Sequence, residues 1–410
     1  MARSSDDRWS ATAQASPPSF PGWPYFDEVQ RAAVDAVLAS GRVNYWTGSE
    51  VRQFETEYAA ALGVPYAIAV SNGTVALEVA LRALNIRAGH EVIVPSRTFL
   101  ATASSVAMSG ATPIFADVDG LSGNVTASAI EPLITQKTRA IIVVHVAGWP
   151  CEMDSIADLA RRRRIPLIED CAQAHGALYR GRHVGTLGDI GCFSFCQDKI
   201  LTTGGEGGLI VTDRQDVWKR AWSAKDHGKS WDAVHHKDHP GLFKWLHESL
   251  GTNGRLTEMQ AAIGRVQLRM LPQWVAARRR NAAVLHRRLA GLPGLRLVDT
   301  PDHVQHSFYK YYAFMDAAEL PPEWTRDRIA AAIQKRGVPC GPGSCGEIYR
   351  EIAMKPYMPR HRRLVAQRLG ETSLMFLVHP TLDVTHMELM AANIRAVFEQ
   401  AISQSAPCAA

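Results

Sequence analysis

Between about residues 50 and 212 the chain repeats one texture: a short run of apolar, often β-branched residues, then a longer stretch whose apolar positions recur every three or four residues. Seven short runs stand out: YAIAVS from Tyr66, EVIVP from Glu91, TPIFADV from Thr112, RAIIVVHV from Arg139, IPLIED from Ile165, GCFSF from Gly191 and GGLIVT from Gly207. Segments of helical period, TVALEVALRAL, LATASSVAMS and MDSIADLARRRR, separate most of them. Strands that are apolar throughout, rather than alternating, are covered on both faces. The pattern therefore predicts an α/β fold with a large, mainly parallel sheet, whose ligands would sit at the carboxyl ends of the strands.

After Lys225 the texture changes to a polar, histidine-rich loop, KDHGKSWDAVHHKDHPGLFKWLHES. A long helical segment follows from Thr257, with an interruption expected near Pro272. Beyond about Leu295, strands (SFYKYYAFM) mix with helices (RDRIAAAIQKRG, HMELMAANIRAVFEQ), as in a smaller α+β domain. The division expected is an N-terminal segment 1–49, a large α/β domain 50–275, a smaller α+β domain 276–400 and a flexible tail 401–410.

Composition narrows the classes. At 410 residues and 46% apolar, the chain has enough material for a sizeable core. Its formal charge of +5 is small, and the cations are scattered, so nucleic-acid binding is not suggested. The run Arg161–Arg164 closes a helical segment, where cations suit the carbonyl end of the dipole. Seven cysteines, an odd number with no C-x-x-C pair, form neither a disulfide framework nor a zinc knuckle. The first twenty residues carry acids and no apolar core, unlike a secretion signal, and no apolar run reaches the ~18 residues that cross a bilayer. A reducing cytoplasm is the expected setting.

Four features follow consecutive strand runs. Ser71-Asn72-Gly73-Thr74 turns a strand into a helix start, either an ordinary N-cap or a phosphate cradle of exposed N–H groups and the Thr74 hydroxyl. Phe99 could stack on a flat ligand or belong to the core. Asp170 closes IPLIED, with Gln173 three residues on, and is either a helix cap or the partner of a cationic ligand atom. Lys199 lies between Ser194 and the glycines of TTGGEGG, either a surface lysine in a turn or a buried amine reactive toward carbonyls. Phosphate cradle, flat lid, acid and imine-forming lysine together match the needs of pyridoxal 5′-phosphate.

With these motifs the sequence resembles the DegT/DnrJ/EryC1/StrS family, sugar aminotransferases of the pyridoxal-phosphate fold type I (aspartate-aminotransferase) kind. The likeness runs from GRVNYWTGSEVRQFETEYAAALGV through SNGTVALEVAL, EVIVPSRTFLATASSV, EDCAQAHGA, GDIGCFSFCQDKILTTGGEGG and TNGRLTEMQAAIGRVQL to FLVHPTLD. It implies that Lys199 binds the cofactor as an imine, that Asp170 pairs with the ring nitrogen and that Gln173 lies near the ring hydroxyl. Phe99 would stack on the ring, Gly73, Thr74 and Ser194 would bind phosphate, and Asn253 would reach the phosphate in a neighbouring subunit. That last match implies a homodimer with shared sites.

Implied too is amino transfer from glutamate to a keto sugar, most simply a nucleotide-linked 4-keto-6-deoxyhexose, for polysaccharide, glycan or natural-product synthesis. An aminocyclitol or other keto-ring acceptor is the close rival. A sugar dehydratase of the same family is disfavoured by lysine at position 199, and a cofactor-sensing regulator by the lack of a DNA-binding segment. Candidate substrate contacts are Tyr45, Trp46, His306, Tyr309, Ser344 and Glu347. Two departures stand out: Gly254 where the family often has an aromatic, and the insert from His227 to His247. The histidines His227, His235, His236, His239, His247 and His306 fit no familiar zinc spacing, so no metal is expected.

Overall fold

A computed structural model describes residues 20–235 and 245–403. All seven apolar runs become strands of one sheet: β1 (Tyr66–Val70), β2 (Glu91–Pro95), β3 (Thr112–Ala116), β4 (Thr138–Val144), β5 (Leu167–Asp170), β6 (Ile190–Ser194) and β7 (Gly208–Thr212). Their order across the sheet is β1-β7-β6-β5-β4-β2-β3. Parallel pairing joins β2 to β3 and β4, β4 to β5, and β5 to β6, whereas β7 runs antiparallel to both β1 and β6. Six of the seven strands thus point the same way. β5, β6 and β7 are buried from end to end, which is why their sequences are continuous rather than alternating.

Helices from the intervening segments cover both faces. Gly73–Ala83 begins immediately after β1, with the Asn72 side chain capping the Val75 N–H at 2.9 Å. Met153–Arg163 ends in three arginines, and Arg164 closes it in the left-handed region (φ 54°). Those arginines face solvent, two of them paired with Asp158 one turn back.

The segment from Thr257 forms one unbroken helix, Glu258–Leu289, opened by a capping box between Thr257 and Gln260. Pro272 lies inside it. The expected break does not occur, because residues on both sides of the proline are buried and that packing outweighs one lost hydrogen bond. This helix spans the proposed boundary at residue 275, packing on Glu28–Ser40 and Glu50–Leu62 near its start and on Val384–Ser403 farther along.

The second unit is a four-stranded antiparallel sheet of Leu295–Arg296, Tyr311–Met315, Ser373–Phe376 and Cys340–Gly341. Its strand Tyr311–Met315 is shorter than SFYKYYAFM suggested, because Phe308 takes a positive φ of 49° and turns the chain. The final helix reaches Ser403, so the tail begins helical, and residues 404–410 lie outside the described residues. Within the insert, Trp231–His235 is a short helix, and His236 and His239 lie outside the described residues. No helix among the described residues is long and apolar enough to cross a membrane.

The N-terminal segment is tied across the molecule. Trp23 Nε1 donates to the Lys199 carbonyl at 2.8 Å, and its ring meets Trp274 edge-on at 5.0 Å.

Candidate active site

A cavity of about 800 Å³ opens at the carboxyl ends of the parallel strands. Its lining combines Asn72, Gly73 and Thr74 after β1, Thr98 and Phe99 after β2, Asp170 and Gln173 at β5, Ser194 closing β6, and Lys199 beyond it. Nine of the sequence candidates therefore meet in one place: Gly73, Thr74, Phe99, Asp170, Gln173, Ser194 and Lys199, joined from the second unit by Tyr309 and Ser344.

The floor is built by close approach. A Cβ at Gly73 would fall 2.6 Å from the Ser194 Cβ, so only glycine lets the helix start lie against the tip of β6. The first N–H groups of an eleven-residue helix then face the same space as the Thr74 and Ser194 hydroxyls, an arrangement suited to a phosphate. Above the floor, Phe99 is 69% exposed, its face open to the cavity instead of packed in the core.

Asp170 is buried. Its Oδ2 accepts from the Thr102 hydroxyl at 2.8 Å and its Oδ1 from the Ala172 N–H at 3.1 Å. Burial pushes its carboxyl above the ordinary range, opposed by those hydrogen bonds and by the Lys199 charge. A cationic ring nitrogen would reverse that balance. Gln173 gives its amide oxygen to the Ala147 N–H (2.7 Å), which leaves its NH₂ for the cavity.

Lys199 Nζ stands 3.4 Å from the Tyr309 hydroxyl and 3.6 Å from Asp198 Oδ1. Tyr309 also hydrogen-bonds Asp198 directly. Burial works to raise the Asp198 carboxyl, but the Lys199 charge and the Tyr309 hydroxyl hold it below the ordinary range. Burial pulls the neighbouring Lys310 ammonium down to about 8.

The remaining candidates lie outside this chain's cavity. Tyr45 is buried, accepting from Trp222 Nε1 (3.2 Å) beneath the Lys225 ammonium, 3.6 Å from its ring centroid. Trp46 packs edge-on against Tyr45 and Trp222. His306 stacks flat on Phe308 at 3.9 Å, and burial lowers its pKa to about 3. Glu347 is spent on Arg362 and Tyr349. Asn253 is exposed, on a segment fastened to Asp226 and, through the Gly254 carbonyl, to Ser71 (2.8 Å). At Gly254 a Cβ would come 3.1 Å from Val75, so an aromatic there requires that neighbour to give way.

Sequence reasoning missed Thr98, Thr102, Asp198 and Lys310. Thr98 and Thr102 form a hydroxyl relay (2.9 Å) ending on Asp170, but Thr102 reads as one more helical position. Asp198 was detectable by adjacency to Lys199. The one cluster with metal-ligand chemistry among the described residues, His145, Glu169 and Cys171, is buried, and Glu169 already accepts from His145 and the N–H groups of Gly185, Leu187 and Gly188.

The donors present fit pyridoxal phosphate: a cradle whose floor a Cβ would fill, an exposed aromatic face, a buried acid and an amine in one cavity. Sheet and site define an aminotransferase of the pyridoxal-phosphate-dependent, fold type I class. More narrowly, the chain belongs to the DegT/DnrJ/EryC1/StrS aminotransferase family, whose model matches residues 24–393. It is 37% identical over 353 residues to UDP-N-acetyl-3-dehydro-alpha-D-glucosamine 3-aminotransferase of Acidithiobacillus ferrooxidans, covering 85% of this chain and 88% of that one. GDP-perosamine synthase of Escherichia coli O157:H7 is 40% identical over 311 residues, 76% of this chain and 80% of the other. The crystal structure of an aminotransferase from Psychrobacter cryohalolentis matches with TM-score 0.90 and 49% identity, over 93% of this chain and 100% of that one.

Proposed function

We propose that the chain transfers the amino group of glutamate to a keto sugar carried on a nucleotide, with pyridoxal 5′-phosphate held at Lys199. The observation that carries this reading is the meeting of Lys199, Asp170 and the Gly73 helix start in one cavity. The cofactor, when bound, supplies an electron sink for the carbon–hydrogen bond broken beside the transferred nitrogen.

Each neighbouring residue has its part. Gly73, Thr74 and Ser194 bind the phosphate, Phe99 covers the ring face and Asp170 keeps the ring nitrogen protonated. Gln173 offers its NH₂ to the ring hydroxyl. Lys199 anchors the cofactor and, once displaced by an amine substrate, moves the substrate's proton at Nζ. Tyr309 and Ser344 face the acceptor.

Two relatives with nucleotide-sugar names support a nucleotide-linked acceptor. A 4-keto-6-deoxyhexose is the first acceptor to try. We place the enzyme in the cytoplasm as a homodimer in which Asn253 reaches the neighbouring subunit's phosphate site.

The test is an absorbance spectrum of the purified protein before and after glutamate. A cofactor band that glutamate shifts to that of the aminated cofactor is expected. A colourless protein, indifferent to added pyridoxal phosphate, would sink the reading. For shared sites, mixing Lys199→Ala with Asn253→Ala subunits should restore partial activity, and none in the hybrid would exclude sharing.

A further inference from the structure

One cation beside the cavity is left over by this reading. Arg97, between Ser96 and the cavity-lining Thr98, is 1% exposed, and its Nε and Nη1 have no hydrogen-bond partner. It makes no ion pair among the described residues. A guanidinium buried without a counter-charge is costly, and native chains rarely keep one without use.

The other buried arginine with unpartnered nitrogens is better provided for. Arg278 Nη1 donates to the carbonyls of Tyr309 (3.0 Å) and Phe308 (3.4 Å), and Trp23 lies over its guanidinium at 5.2 Å. Arg97 has only an aromatic face, the Tyr312 ring at 5.4 Å.

The surroundings of Arg97 belong to the cavity. Tyr312 lines it, as do Gly343, Ser344 and Cys345, and the Tyr312 hydroxyl accepts the Ser344 N–H at 2.7 Å. On the far side, Gly123 keeps the guanidinium's space open, since a Cβ there would come 3.3 Å from Arg97 Nε. Thr98, the next residue, connects through Thr102 to Asp170. The unpaired cation therefore backs onto the wall formed by Tyr312 and Ser344, one residue from the relay that ends on the proposed ring-nitrogen partner.

We propose that Arg97 recognises a carboxylate of the amino donor, admitted past Tyr312 and Ser344. The inference rests on the aminotransferase reading and adds the donor's binding group to it. A carboxylate suits a planar guanidinium, which offers paired N–H donors in one plane.

Arg97→Met in the holoenzyme tests the idea, with titration calorimetry of 2-oxoglutarate and single-turnover absorbance against glutamate and against isopropylamine, an amine without a carboxylate. Expected are 2-oxoglutarate and glutamate affinities weakened at least about tenfold, an unchanged isopropylamine rate, and a melting temperature no lower than wild type, since Met replaces an unpaired charge. Wild-type affinity for 2-oxoglutarate, or equal loss toward isopropylamine, would overturn the assignment. If the Met variant does not fold, Arg97→Lys decides. A Lys variant that binds 2-oxoglutarate as tightly as wild type overturns it too, because Lys lacks the planar fork. These outcomes leave the cofactor band and its glutamate response in wild type intact, so failure here is separable from failure of the proposed function.

Discussion

The two walls of the cavity are made differently. On the sheet side, Gly73, Thr74, Asp170 and Ser194 stand at strand tips or at a helix start, and each is placed by backbone hydrogen bonds that the core enforces. Opposite, Tyr309, Lys310, Tyr312, Ser344 and Cys345 come from one short strand, its approach and a loop, where side chains hold one another. Ser344 is fixed by a tyrosine hydroxyl, and Tyr309 by Asp198 from across the cavity. A wall built from sheet ends has one conformation available, and suits an invariant cofactor. One built from side chains on loops tolerates replacement, and suits substrates that differ among relatives.

If this contrast holds, damage to the sheet wall should abolish chemistry whatever the substrate. Lys199→Ala is the severest case. Turnover should fall at least about 10⁴-fold, since anchoring and proton transfer are lost together. The phosphate cradle is untouched, so the variant should still retain some cofactor without a covalent link, measurable by absorbance after gel filtration. Turnover near wild type would break the comparison at its strongest point.

Gly73→Ala should come next. The added methyl meets Ser194 Cβ at 2.6 Å, between a helix start and a strand tip that cannot both retreat. Overpacking of this kind costs about 1–3 kcal/mol. It should appear as weakened cofactor affinity, with activity partly recovered at saturating pyridoxal phosphate. Unchanged affinity, titrated fluorimetrically, would mean that the floor is looser than drawn.

The same contrast explains what the sequence disclosed. Seven strands were legible because burial on both faces leaves a local signature of continuous apolar residues, and the cofactor-wall candidates because they follow those strands directly. Pro272 misled, since a local rule about proline was overridden by tertiary burial of the helix around it. Tyr45 and His306 drew notice because aromatic and imidazole groups serve in sites, and a sequence does not tell that within this chain their rings pack against Lys225 and Phe308, away from the cavity lining. Lys310 and Tyr312 alternate along a strand approach like ordinary sheet residues, and nothing local says that a cavity lies on one side. Arg97 gave no sign at all, because only the fold reveals that its guanidinium has no partner.

The smallest expected effect lies on the small-domain wall and is read through pH. Burial lowers Lys310 to about 8 from an unfolded value near 10.5, with Asp198 partly opposing. Below pH 8 both folded and unfolded states carry the proton, and the full cost of burying the charge is present. Between about pH 8 and 10.5 the unfolded chain binds more protons, so the penalty fades as pH rises through that window. Lys310→Met removes the charge and should raise the melting temperature of the cofactor-free protein by about 2 °C at pH 7, discounted for partial exposure. The advantage should shrink toward zero by pH 10. An offset of equal size at both pH values would show that lost packing, rather than the buried charge, sets the difference, and the small-domain wall would then be as rigid as the sheet wall it faces.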